Sequence, residues 1–258
     1  SFSEEGVQEV SNGSFSQEGS ELITNGNFEN GSTGWGFIGA GWTFVGGKAT
    51  HTGVQSILGQ SNILTIGKSY KITFDLSGAD GSNYLRLLTS QYPNGGNYTS
   101  DGTITVYTST NIDDFLVYAV GDISIDNVSC VEVGQNWTLG TGWSIAEDKA
   151  VATNSPSGQK VRQLGQLTAS KTYKLVYEVT ELTLGGFLPI VGAVQGTAVY
   201  SIGTYTEYIT TINDDFYIRT LGTTSGSITN ISVKEVGQNW VLSVVDFSLG
   251  SVFFNSDV

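Results

Sequence analysis

Apolar and polar residues alternate with a period of two along many short stretches of the chain. Tyr70, Ile72, Phe74 and Leu76 are interleaved with Lys71, Thr73, Asp75 and Ser77, and Tyr173, Leu175, Tyr177 and Val179 stand in the same phase 103 residues later. Alternation of this kind puts one set of side chains on one face of an extended strand, so each run predicts a strand with a single buried face. Trp42 with Phe44, and Trp143 with Ile145, repeat the pattern on a smaller scale. No window carries a sustained apolar stripe at i, i+3 and i+4, so no helix is predicted. Glycine-rich breaks such as "SGADGSN" and "PNGGN" separate the runs. Short strands with frequent turns predict an all-β sandwich or jelly roll.

The strands belong to a duplicated unit. "EVGQNW" occurs at Glu132 to Trp137 and again at Glu235 to Trp240. Between these marks "GWTFVGGKA" (Gly41 to Ala49) matches "GWSIAEDKA" (Gly142 to Ala150), and "GKSYKITFD" (Gly67 to Asp75) matches "SKTYKLVYE" (Ser170 to Glu178). "DDFLVYAV" (Asp113 to Val120) likewise matches "DDFYIRTL" (Asp214 to Leu221). The order is kept and the offset moves only between 101 and 103, as in a tandem duplication with changes confined to turns. Two tandem β-sandwich (jelly-roll) modules of about 103 residues are therefore expected, each long enough to bury its own core.

The boundaries expected are a first module at 21–134 and a second at 135–237. Residues 1–20 read as a linker or vestigial module start, because "VSNGSF" (Val10 to Phe15) prefigures "ITNGNF" (Ile23 to Phe28) at an offset of 13. Gln135, Asn136 and Trp137, with Gln238, Asn239 and Trp240, read as module junctions whose tryptophans pack successive units together. Residues 238–258 read as the start of a truncated repeat or an assembly contact. With no methionine in the chain, Ser1 is expected to be a processed or internal start.

Charge narrows the partners. The 24 acids against 11 bases give a formal charge of −13, which repels phosphate backbones and anionic lipid, so nucleic-acid binding is not expected. No run approaches the ~18 apolar residues of a helical membrane span, and membrane insertion is not expected.

Duplication also tests candidate chemistry, since a residue needed by both modules should recur. Cys130 corresponds to Val233 and reads as a small core residue; His51 corresponds to Ala152 and reads as a solvated turn or strand residue. One histidine excludes a His-based metal cluster or a repeated His-dependent triad. The acid pair Asp113–Asp114 does recur as Asp214–Asp215. Neighbours on an extended chain point to opposite faces, so neither pair can flank one glycosidic bond, and a turn closed by an Asp side chain is the expected role. No catalytic residue and no cofactor is expected. A structural calcium ion stays open, and at Asp126, which faces Thr229, it would belong to the first module alone. Trp42 and Trp143 fall in phase with core positions, whereas Trp35, Tyr84, Tyr92, Tyr98, Tyr200 and Tyr205 read as surface aromatics and candidate glycan contacts.

The strings "ELITNGNFENGSTGW", "GW…GKA", "GKSYKITFDLSG" and "SIDNVSCVEV" resemble the tandem carbohydrate-binding-module-like (galactose-binding-like) jelly-roll repeats of tailed-bacteriophage virion structural proteins, over about residues 21–240. The resemblance implies a non-enzymatic fibre or head/tail decoration component on the virion surface, homo-oligomeric and commonly trimeric. Its expected partners are other virion proteins and surface glycans. The alternative reading is a carbohydrate-binding module pair from a secreted bacterial glycan-degrading protein.

Overall fold

The computed structural model describes residues 5–88 and 96–237. In chain order the strands of its first part are β1 (Glu5–Gln8), β2 (Glu18–Glu21), β3 (Phe37–Ile38), β4 (Trp42–Phe44), β5 (Ala49–His51), β6 (Ser56–Gln60), β7 (Ser69–Ser77), β8 (Tyr84–Leu87), β9 (Gly102–Ser109), β10 (Phe115–Val120) and β11 (Ile123–Val133). There follow β12 (Thr138–Leu139), β13 (Trp143–Ala146), β14 (Lys149–Ser155), β15 (Lys160–Gln163), β16 (Thr172–Val191), β17 (Val194–Gln195), β18 (Gly203–Thr210) and β19 (Phe216–Val236). All regular structure among the described residues is β.

The predicted alternation is realised most fully in β7, where Tyr70, Ile72, Phe74 and Leu76 are at most 3% exposed and the intervening residues are half-buried. One sheet of the first module runs β3-β6-β10-β8, and the other runs β4-β5-β11-β7-β9 with β2 added on β11. Leu58, Leu85 and Val117 from the first sheet and Ile72, Phe74 and Ile125 from the second share one core. Inner faces meeting in this way make a β-sandwich.

The second module repeats the plan with one change. β16 and β19 run through both of its layers, bending where the register slips between Val179 and Gly186, so its strands join into one nine-stranded network. At Gly185 φ is +72° and an added Cβ would lie 2.5 Å from the Thr223 carbonyl oxygen, so the corner demands glycine. The first module breaks the equivalent strands instead, at Gly78–Asn83 and Gly121–Asp122.

Residues 5–15 are not a linker. β1 pairs antiparallel with β19, and Val10 and Phe15 lie in the core of the second module. β2 pairs with β11, and Ile23 and Phe28 lie in the core of the first. Both insertions use the same contacts. Buried Gln163 clamps Ser11, its amide nitrogen donating to the Ser11 carbonyl and its oxygen accepting from the Ser11 amide; buried Gln60 does the same to Thr24. The Trp137 indole donates to the Asn12 carbonyl, as the Trp35 indole does to that of Asn25. Lys174 pairs with Glu5 as Lys71 pairs with Glu18. At Gly13 and Gly26 an added Cβ would lie 1.9 Å from the carbonyl oxygens of Ile231 and Val128, so each turn presses its backbone onto the last strand of its own sandwich. The second module is therefore discontinuous in sequence, with all of the first inserted between Phe15 and Trp137.

That placement revises the junction. Trp137 was expected to pack between modules, but it sits inside the second core with its ring centroid 5.0 Å from that of Phe15 and 6.1 Å from that of Phe216. Gly134 and Asn136, both at φ +72°, turn the chain from β11 into it. Gln238, Asn239, Trp240 and the rest of the final segment lie outside the described residues.

Candidate ligand-binding faces

Each sandwich has one sheet whose outward face carries cations and aromatics. In the first module Phe115, Val117 and Ala119 of β10 point into the core, leaving Leu116, Tyr118 and Val120 on the outer side. Tyr118 stands opposite Arg86 on β8 and Ile57 on β6, with Tyr84 opposite Val120 in the next row. The Arg86 guanidinium carbon lies 5.8 Å from the Tyr84 ring centroid and 5.9 Å from that of Tyr118. Two of its nitrogens donate to the Asn97 side-chain oxygen, which fixes the guanidinium over the sheet, and among the described residues it forms no ion pair.

On the second module Val161 and Ile218 point inward, so Lys160, Arg162, Tyr217 and Arg219 point outward. Lys160 stands opposite Arg219, and Arg162 opposite Tyr217. The Lys160 ammonium sits 4.2 Å from the Tyr217 ring centroid, within cation–π range. Arg86, Arg162 and Arg219 are all the arginines of the chain.

A separate cleft of about 320 Å³ lies where the modules meet, lined by Gly67, Ser69, Ser109 and Thr110 of the first and Leu139 to Trp143 of the second. Tyr107 of β9 packs against the second core. The lining carries no charged side chain.

The sequence-predicted aromatics separate into different roles. Trp35, expected at the surface, is 4% exposed: it stacks on Phe28 with ring centroids 4.9 Å apart, so it is a core residue. Tyr98 is half-buried, set edge-on to Phe74, and its hydroxyl is buried. Tyr205 stacks on buried Tyr177 and donates its hydroxyl to the Ser201 carbonyl. Tyr200 is exposed, and its ring covers Gly186, where an added Cβ would lie 2.6 Å from it on the side of β16 that carries Leu188 and Ile190, so it borders the arginine face of the second sandwich. Tyr84 alone of the set stands beside an arginine, and Tyr92 lies outside the described residues. Sequence reasoning missed Tyr118 and Tyr217. Their alternation with core residues in "FLVYAV" and "FYIRTL" was the available signal.

The other candidate residues are structural. The Asp113 carbonyl accepts from the Leu64 amide and the Asp114 side chain from the Asn62 amide; the Asp214 carbonyl accepts from the amides of Gln166 and Leu167. Both pairs thus tie a neighbouring connection, and in the second module it is the Asn213 side chain, not an Asp, that accepts from the Asp215 amide and closes the turn. His51, expected to be solvated, is fully buried against Trp42, with its Nδ1 2.7 Å from the Gly121 carbonyl oxygen. The Asp126 side chain accepts from the Asn127 amide. Among the described residues no group of three or more His, Cys, Asp or Glu side chains is placed to hold a metal ion.

Cys130 is buried, and burial with the nearby Glu21 carboxylate pushes its thiol up to about 12. A group raised that far stays protonated at about pH 8, and the thiolate is the reactive form. Cys130 is expected to resist an aromatic disulfide reagent in the native protein and to react fully once denatured. Fast stoichiometric labelling under native conditions would contradict its burial.

No protein-family model and no curated protein matches the chain. Among solved structures it is similar to the N-terminal CBM22-1-CBM22-2 tandem domain from Paenibacillus barcinonensis Xyn10C, at 11% identity and a TM-score of 0.32 over 85% of this chain and 99% of that one.

Proposed function

We propose that the chain is a non-enzymatic structural component of a tailed-bacteriophage virion, a surface fibre or a head or tail decoration, whose two sandwiches adhere to glycans through their outward sheet faces. The virion part rests on the resemblance of the repeated strings. Adhesion rests on one observation, the arginine and tyrosine pairs set on the same outward sheet of both sandwiches. Tyrosine rings offer flat apolar surface to a sugar face, while fixed guanidinium groups donate hydrogen bonds to its oxygens. Two weak faces on one chain, multiplied by assembly into a homo-oligomer, convert modest affinity into firm attachment when the geometry lets them engage together.

A glycan array probed with the isolated chain tests the adhesive part. Selective binding is expected, weakened roughly tenfold by Tyr84→Ala or Arg86→Ala at the first face and unchanged by Tyr208→Ala, an exposed ring on β18 of the other sheet. A blank array would remove adhesion from the proposal. Mass spectrometry of purified virions tests the rest; absence of the chain from particles, with its gene beside a glycan hydrolase, would favour the secreted binding-module pair.

A further inference from the structure

We infer that the outward face of the second sandwich is built for an acidic polysaccharide, one carrying a carboxylate on its sugar units, an inference that rests on the glycan-binding reading and specifies it. The face is a small grid. Lys160 and Arg219 form one row across β15 and β19 that ends on Leu188 of β16, and Arg162 and Tyr217 form the next, ending on Ile190; Leu188 and Ile190 are 5% and 3% exposed, so the open part of the grid is its β15 and β19 columns. Rows on one face lie about 7 Å apart along a strand and neighbouring strands about 5 Å apart, so the three cations surround one tyrosine within a patch the size of one or two sugars.

Among the described residues these cations have no counter-charge. Each ion pair among the described residues uses a lysine elsewhere, at positions 68, 71, 149, 171, 174 and 234, so no described carboxylate lies within 4.0 Å of Lys160, Arg162 or Arg219. Lys160 directly opposes Arg219, and like charges facing across a strand pair destabilise a sheet. The Arg219 Nε is moreover buried without a hydrogen-bond partner among the described residues, so a ligand carboxylate would meet the guanidinium at its terminal nitrogens. In a chain of charge −13 with acids to spare, an unrelieved cation cluster is a local exception. A bound carboxylate relieves it, since guanidinium and carboxylate match in geometry and form paired hydrogen bonds.

Charge density separates a polyuronate from a nucleic acid. Duplex DNA places one charge about every 1.7 Å, and the overall field of this chain opposes so dense a polyanion. A uronate chain brings one charge per sugar, sparse enough for three cations to outweigh that field at short range, where salt screens the rest of the surface.

The first module supplies an internal control. Its equivalent positions hold Ile57, Gly59 and Tyr118 in place of Lys160, Arg162 and Arg219, so its face offers Arg86 and aromatic surface without the cluster. Calorimetric titration of the full chain with an oligogalacturonate and with its fully methyl-esterified, uncharged form decides the matter. The acid form is expected to bind at least tenfold more tightly. Arg162→Gln and Arg219→Gln should each remove roughly tenfold to a hundredfold of that affinity, with the melting profile as a folding control. Should Arg219→Gln fail to fold, Arg162→Gln decides. Equal binding of acid and ester would overturn the acidic preference and leave the glycan reading standing. Failure of both, together with a blank array of neutral glycans, would overturn both. Equal binding of an oligonucleotide would show a general anion surface and overturn the inference.

Discussion

Deleting residues 1–15 is expected to unfold the second sandwich and leave the first folded. The segment is remote in sequence from the sheet it completes, yet it supplies Val10 and Phe15 to that core, at 2% and 1% exposure. Truncating a buried Phe alone costs about 3–5 kcal/mol, and burying a Val is worth about 1.5–3 kcal/mol more. Removal also strips partners from the Trp137 indole, the Gln163 side chain and the amides of Ile231 and Val233. Each buried group left unpaired adds about 1–3 kcal/mol. The total matches or exceeds the roughly 5–15 kcal/mol that holds a domain together. Calorimetry of the truncated chain should show one transition lost, and limited proteolysis should cut within 137–237 while sparing 17–133. Adding a peptide of residues 5–15 in excess should restore protection by mass action. Retention of both transitions would mean that the segment is a linker after all.

Strand positions and the doubling of the unit were legible because both are local signals. Period-two alternation marks a buried face wherever it occurs, and a repeat announces itself by identity. The topology was harder to read. "VSNGSF" and "ITNGNF" are two module starts placed together at the head of the chain, while the junction at Gly134 to Asn136 has no room for one. Counting starts against modules would have assigned the first start to the second module. The opposite pairing was suggested by chain order, because consecutive segments usually pack together. Reading "QNW" as a junction motif compounded this. Trp137 lies 102 residues after Trp35, within the offsets of the repeat, so the two are one position in two copies and share one environment.

The arginine faces escaped for a different reason. Duplication favours positions occupied alike in both copies, and the cations are not alike: Arg86 corresponds to Leu188, and Arg219 to Tyr118. What recurs is a surface, the outward side of one sheet, and a surface becomes visible only when strand order places β6, β10 and β8, or β15, β19 and β16, side by side. His51 is the reverse case. Its buried partner is the Gly121 carbonyl, seventy residues away, which no local pattern announces.

Trp35→Ala separates a core indole from a sugar platform. The ring stacks on Phe28, meets Phe115 edge-on with centroids 6.2 Å apart, and donates its indole hydrogen to the Asn25 carbonyl. Replacing a buried Trp by Ala costs about 3–5 kcal/mol through lost transfer energy and the cavity left behind, and the Asn25 carbonyl loses its donor as well. In a module of this size each kcal/mol moves the melting point by about 4–8 °C, so the first-module transition should fall by roughly 15–30 °C while the second-module transition stays in place. Tyr208→Ala, at a side chain 64% exposed on β18, should shift neither by more than the few tenths of a kcal/mol usual for surface changes. Glycan binding well below the new transition should survive in both variants, because neither ring belongs to an arginine face. An unchanged melting profile combined with lost glycan binding in Trp35→Ala would return the indole to the surface and move the candidate site with it.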